Sequence, residues 1–431
     1  MGDERTTNER NAGARMRAGA AVACLALFAA CRSSGAVAGG REASGPLELG
    51  PGDSGVAIHC AKALTLDDGD SIHAPATILV KNGKLAWVGP RRAAPAGYET
   101  LPADGLWASP GMVELHSHIH SGGFGDTNDK VLPVNGELRA MTALRPGNPL
   151  VRRAVAGGVT TLYGIPGSGT SMSGFGVIYK TKVDAAFEDA VLHRVGGLKV
   201  AQSYNPERGA GDLGRTRAGL AWILEDAADR AKALRAADAE DLSHEDLAKV
   251  MERELPVLIH CAGSDGFAAA ARMWQEKYAT RCVLSHGCFD AHAVAPWIVA
   301  TGAPINAGPR VVDYMTTRDG AITGTAAKYL EAGAKDLSLN TDSPVLPQEE
   351  LFLQGAMSAR YGADDYQMLR GCTIAPARVF GLDHRLGSLE AGKDADIVLS
   401  TGSPLDPRSR VERVYIDGAL QYDRARDGQW F

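Results

Sequence analysis

Short apolar runs that stop at a metal-binding side chain recur along this chain, and the recurrence narrows the fold more than any other feature. Residues 112–115 lead into His116-Ser117-His118, 257–259 stop at His260, 283–285 stop at His286, and 337–341 stop at Asp342. Side chains of a strand alternate between its faces, so His116 and His118 point the same way and can share one ion. Any one of these histidines alone would serve as well as a hydrogen-bonded core residue; five such groups at successive strand ends would not. In a (β/α)8 TIM barrel the carboxyl ends of all strands converge on one mouth, where polar groups ending separate strands meet. The pattern therefore predicts an α/β barrel over 109–385 with a divalent metal at its mouth. Neutral imidazoles and a carboxylate suit zinc first, with manganese, iron and nickel behind it.

The rest of the barrel is read from alternating apolar and helical stretches. Strands are expected at 112–115, 160–163, 198–201, 257–259, 283–284, 305–306 and 337–339, with a poorly defined eighth near 177–181. Residues 220–237 read as a helix, and 243–246 open the next one with a capping-box pattern. Outside this span the texture changes. Around Asn82-Gly83 and Asp417-Gly418 lie short β-rich runs, and such dipeptides between them are strong hairpin signals. The two flanks, 56–108 and 386–431, are expected to pair into one small composite β-sandwich.

The N-terminal segment follows other rules. An apolar run over 18–30 follows Arg15 and Arg17 and ends in Phe28-Ala29-Ala30-Cys31. That run is shorter than the roughly 20 residues a bilayer requires, so it reads as a signal peptide over 1–31, with Met16 an alternative start. The small residues before Cys31 resemble a bacterial lipoprotein signal, which would make Cys31 a lipidated residue and 32–55 a flexible linker. The expected location is the bacterial periplasm or cell envelope, anchored through Cys31 or secreted.

Composition supports a soluble enzyme, with 45% hydrophobic and 22% charged residues. A net charge of -6 and the lack of a Lys/Arg run argue against nucleic acid as a partner. None of the seven cysteines forms a Cys-x-x-Cys pair, which excludes a zinc ribbon. Cys261 and Cys288, close behind His260 and His286, read as small buried hydrophobes, a thiol role beside the metal being the alternative.

The segments PGMVELHSHIH at 110–120, GGVTTLYGIPGSG at 157–169, NTDSP at 340–344 and GSLEAGKDADIVL at 387–399, with His260 and His286, resemble the amidohydrolase superfamily, closest to its imidazolonepropionase-like members. Glu114 stands where many members carry Asp, a difference expected to affect support of the site more than its ligands. Lys199 lies on the expected fourth strand, in a setting similar to the lysine that dihydroorotases and hydantoinases carboxylate to bridge two metals. Imidazolonepropionases, by contrast, work with a single metal, so the resemblance implies one or two ions. A related group of members reads GLKMALGENP where this chain has GLKVAQSYNP, which places Tyr204 where that group has Glu.

The metal set expected from residues and resemblance together is His116, His118, Lys199, His260, His286 and Asp342, with Asp342 as general base and then acid. His120, Tyr204 and Asn205 are weaker candidates for substrate contact. The resemblance implies hydrolysis of a carbon-nitrogen bond in a small molecule, with an exported dipeptidase or N-acyl amino acid hydrolase favoured. A cyclic amidine or imidazolone hydrolase, or a deaminase, is the enzymatic alternative. A non-catalytic binding lipoprotein of the envelope is the alternative of another class. Membrane association is expected only through the lipid anchor, and self-association is left open.

Overall fold

The structure, a computed structural model, describes residues 55–208, 214–316 and 320–430. The expected signal peptide, Cys31 and the linker up to residue 54 lie outside the described residues, and Gly55, expected to end the linker, opens a strand.

Strands from both flanks share one eight-stranded mixed sheet. Its order runs Ala419–Asp423, Val411–Ile416, Ile397–Ser400, Tyr98–Pro110, Gly55–Leu64, Ala76–Lys81, Lys84–Pro90, with the short Ile72–His73 paired to Gly55–Leu64. The flanks join where Ile397–Ser400 runs antiparallel to the end of Tyr98–Pro110, with Ile397 opposite Pro110 and Ser400 opposite Trp107. Ile58, Ile78, Leu101, Ile397 and Tyr415 pack into a single apolar cluster drawn from both flanks. Strands of the two flanks thus pair with one another, but in one continuous sheet; the separate β-sandwich expected over 56–108 and 386–431 is not shown.

Both hairpin dipeptides behave as their chemistry requires. Asn82 and Gly83 have φ of 51° and 72°, and Asp417 and Gly418 have 50° and 75°, the left-handed pair that matches strand twist. The two turns also abut. A Cβ on Gly83 would come within 2.8 Å of the Asp417 carbonyl oxygen, so no side chain fits there.

The second sheet has eight strands in sequential order: β1 Met112–Ser117, β2 Val159–Gly164, β3 Met172–Lys180, β4 Val191–Ala201, β5 Val257–Cys261, β6 Cys282–His286, β7 Ile305–Ala307 and β8 Leu337–Leu339. Between β8 and β1 no ladder forms, but Ser117 and Ser343 make a parallel bridge and the His118 amide donates to the Ser343 carbonyl at 2.8 Å. The sheet is therefore nearly closed, a TIM-barrel-like α/β fold. Helices α1 Pro149–Ala156, α2 Arg217–Ala236, α3 Glu245–Met251, α4 Gly263–Ala270, α5 Ala295–Thr301, α6 Thr325–Glu331 and α7 Leu351–Arg360 accompany it. Alternation sorts the strand residues: Val257 and Ile259 join the cluster that contains helix residues Leu224, Val250 and Ile298, while Leu258 packs with Val113, Val283 and Phe380.

Two expectations need correction. The eighth strand, read near 177–181, is β3, and it runs antiparallel to both β2 and β4, so the barrel is not uniformly parallel. The connections explain this. Only residues 165–171 link β2 to β3 and only 181–190 link β3 to β4, and a parallel crossover needs roughly a dozen residues or more. The capping box at 243–246 also does not form. Helix α3 begins at Glu245 after His244 without a side-chain cap, and the Ser243 hydroxyl bonds Asp241 instead.

Candidate functional site

The strand ends carry their polar groups to one place. His116 and His118 come from the end of β1, Lys199 from β4, His260 from β5, His286 from β6, and Asp342 from just beyond β8. Nitrogens of His116, His260 and His286 lie within 4.8 Å of one another, and so do donor atoms of His116, His118 and Asp342. The two triads share His116.

The outer nitrogens are held while the inner ones face the centre. His118 Nδ1 donates to the Ile165 carbonyl at 2.9 Å and His286 Nδ1 to the Gly308 carbonyl at 2.8 Å. His116 Nδ1 lies 2.7 Å from the Ser285 hydroxyl, which also accepts from Asn306 at 3.2 Å. Such outer bonds set the tautomer and aim the other nitrogen's lone pair inward, as metal ligation requires. On the inner side, His118 Nε2 is 3.1 Å and His116 Nε2 3.3 Å from Asp342 Oδ1. His286 Nε2 is buried with no hydrogen-bond partner among the described residues, an expense of about 1–3 kcal/mol that a bound cation would remove. Burial holds His116 well below the usual imidazole range and His286 down to about 4, so both present neutral lone pairs at pH 7. The donor set fits a divalent cation.

Backbone strain accompanies this convergence. His286 has φ of 81° and Asp342 of 50°, both left-handed values that non-glycine residues seldom adopt. Asp342 is positioned from behind by Glu114, whose carboxylate accepts from the Thr341 amide at 2.7 Å, the Thr341 hydroxyl at 2.9 Å and Gln348. Burial raises the Glu114 carboxyl to about 8 despite these donors. Burial also pushes Asp342 upward, but the neighbouring His118, His286 and Lys199 side chains outweigh it, leaving a carboxylate below its ordinary range.

Lys199 is fully buried, with Nζ 2.8 Å from His116 Nε2. Burial lowers its pKa to about 7, against the opposing pull of Asp342 and Cys261, so a substantial fraction is free amine at neutral pH. Cys261 and Cys288 are buried thiols; burial lifts the first well above its ordinary range and the second to about 12.

The weaker candidates separate. His120 is buried in the turn Ile119–Ser121, neither ring nitrogen has a hydrogen-bond partner among the described residues, and the ring borders a cavity of about 600 Å³ also lined by Asn128, Lys130 and Arg139. Tyr204 is 44% exposed, has φ of 67°, and lies with its ring centroid 5.6 Å from that of Phe289. Asn205 instead braces two loops, its amide donating to Ser168 Oγ at 2.8 Å. Sequence reasoning missed Ser285, Phe289 and the carbonyls of Ile165 and Gly308. For Ser285 a signal existed, since it stands two residues after inward-facing Val283; backbone carbonyls leave none.

A model of the amidohydrolase family matches residues 107–420. The amidohydrolase tasK of Hapsidospora irregularis is 27% identical over 391 residues, covering 80% of this chain but only 40% of its own length. An imidazolonepropionase of Brucella anthropi is 26% identical over 372 residues, 75% of this chain and 86% of its own. Among solved structures, an amidohydrolase from Thermotoga maritima is similar with 30% identity and a TM-score of 0.78, covering 86% of this chain and 100% of that one.

Proposed function

Because the chain belongs to the amidohydrolase family, we propose that it is a metal-dependent enzyme that hydrolyses carbon-nitrogen bonds of small molecules. The observation that carries this reading is the convergence of four imidazoles and one carboxylate from four strand ends, with outer nitrogens of His116, His118 and His286 already engaged. His116, His118, His260, His286 and Asp342 would hold the ion, zinc being the best match to the donors. A divalent ion there supplies Lewis acidity, polarising a carbonyl and making water acidic enough to attack at neutral pH.

Asp342 is the residue suited to move the proton. Its ionised carboxylate faces the two β1 histidines, so it can take a proton from the attacking water and return it to the leaving nitrogen. An ammonium at Lys199 would repel a cation held by His116, so with metal bound Lys199 is neutral or carboxylated. We favour the carboxylated form and two ions per chain, supported by its burial and its pKa near 7. Exported dipeptidase or N-acyl amino acid hydrolase remains the leading substrate reading, with export through the 1–31 signal and attachment through Cys31. The alternative of a cyclic amidine or imidazolone hydrolase is favoured by similarity to an imidazolonepropionase over 86% of that protein. The intact donor set argues against a non-catalytic binding lipoprotein.

Metal content of purified protein, measured with turnover on dipeptides, N-acyl amino acids, cyclic amides and imidazolones, tests the whole reading. Metal-loaded protein inert on every class would sink it. Two ions in the wild type and one in Lys199→Ala would support the bridge, whereas one ion with full turnover in the wild type would remove it.

A further inference from the structure

Three loops at the carboxyl ends of β4, β6 and β7 bring Tyr204, Phe289 and Arg310 together. The Tyr204 and Phe289 ring centroids are 5.6 Å apart, and the Arg310 guanidinium lies over the Phe289 ring at 5.5 Å. Arg310 follows Gly308-Pro309, and the Gly308 carbonyl is the acceptor that fixes His286, so this arginine is tied to the metal site through two residues. Gly308 can occupy that place only as glycine: its φ is 129° and a Cβ would come within 2.2 Å of the Asn340 carbonyl oxygen.

What sets Arg310 apart is that no ion pair reaches it among the described residues. The described acidic groups of these loops, and Asp265 after β5, are engaged elsewhere: Glu207 accepts from the Tyr204 amide, Asp265 pairs with Arg217, Asp290 accepts from Ser264, and Asp313 accepts from Thr316 and the Met315 amide. Among the described residues the guanidinium makes one hydrogen bond, at 3.5 Å to the Met315 sulfur. A guanidinium held over an aromatic ring still has N–H groups to offer, and a guanidinium can grip a carboxylate through two parallel hydrogen bonds. The α-carboxylate of an N-acylated amino acid is two bonds from the scissile nitrogen, so a substrate cleaved at the metal site presents its carboxylate close by.

We propose that Arg310, seated on Phe289 beside Tyr204, binds the free carboxylate of the substrate, and that the two rings form a wall for an aromatic or aliphatic side chain. The substrate class is then an N-acyl or N-aminoacyl α-amino acid with an apolar side chain. This rests on the carbon-nitrogen hydrolase reading for its chemistry, but the binding contact can be tested without turnover.

Metal-loaded wild type, Arg310→Gln and Arg310→Lys would be titrated by calorimetry with L-phenylalanine and with phenethylamine, which lacks only the carboxylate. The wild type should bind phenylalanine at least tenfold more tightly, about 1.4 kcal/mol. Arg310→Gln should abolish that preference without changing phenethylamine binding, and Arg310→Lys should keep part of it. Equal wild-type affinities, no binding of either ligand, or an unchanged preference in Arg310→Gln would overturn the proposal. Hydrolysis of N-acetyl-L-phenylalanine and N-acetylphenethylamine is measured alongside. Arg310-dependent binding with neither amide cleaved would remove the hydrolase reading for this substrate class and leave the carboxylate site standing; equal cleavage of both with equal KM would do the reverse.

Discussion

Asp342 is the one carboxylate among the five strand-end groups, and its place against His116 and His118 separates proton transfer from metal holding. An amide oxygen can still approach a cation but cannot carry a proton. Asp342→Asn should therefore keep most of the metal while losing roughly two to four powers of ten in turnover, the usual scale of general acid-base catalysis. His116→Ala should lose metal first, because His116 is common to both donor triads. Metal content and turnover measured on the same preparations decide between them. A metal-loaded Asp342→Asn with near-normal turnover would pass the role to His286 or His120. The five strand-end groups were legible because each closes an apolar run in the sequence. Of their hydrogen-bonded supports, Ser285 had a signal in its alternation with Val283, whereas the Ile165 and Gly308 carbonyls had none, since a carbonyl aimed at a ring 22 or 47 residues away has no local mark.

At the scale of elements, the antiparallel strand β3 ends in Lys180, a buried ammonium at the junction of barrel and flanking sheet. It donates to Asp394 at 2.8 Å, to Asp396 at 3.1 Å and to Asp417. Asp394 also pairs with Lys84 and Arg385, so β3, the flank hairpins and the returning segment meet at one point. Breaking a buried pair leaves an uncompensated charge, so Lys180→Met should cost about 3–5 kcal/mol in denaturant unfolding, whereas an exposed-pair change such as Arg194→Met should cost under about 1 kcal/mol. The same cluster has a pH signature. Burial pushes Asp394 upward, but Lys180 and its other partners hold it down at about 2. A folded-state pKa below the unfolded value stabilises above the unfolded value and is lost as pH falls through the folded one. Asp394 should thus stabilise the fold above about pH 4 and lose that contribution on acidification toward pH 2. Lys180→Met should move the acid-unfolding midpoint to higher pH; an unmoved midpoint would contradict the clamp.

For the molecule as a whole, the metal site couples to folding. Chelation should leave the buried donors to one another, and an ion that binds only the folded state stabilises it by mass action, about 2.7 kcal/mol at a hundredfold excess over Kd. Zinc added to chelated protein should raise Tm by several degrees in scanning calorimetry, with His260→Ala responding much less. A Tm insensitive to zinc would argue that the donor cluster does not hold this ion. Placement in the cell is a separate matter of the leader. Labelled fatty acid should enter the full-length chain in a bacterial host and fail to enter Cys31→Ser; equal labelling of both would discard the anchor.

Local chemistry in the sequence determined the strand ends, both left-handed hairpin turns and the five converging donors, because alternation, φ preference and a ligand at a strand's end act over a few residues. Strand direction lay beyond that range. All of Met172–Lys180 is buried, so β3 has no polar face to mark its setting, and only the lengths of the connections on either side make it antiparallel. Long-range partners were equally illegible: Lys180 meets carboxylates more than 200 residues downstream. The Tyr204, Phe289 and Arg310 stack is built from three separate loops. Only closure of the barrel brings such groups within contact, because it converts sequence distance into adjacency around one mouth.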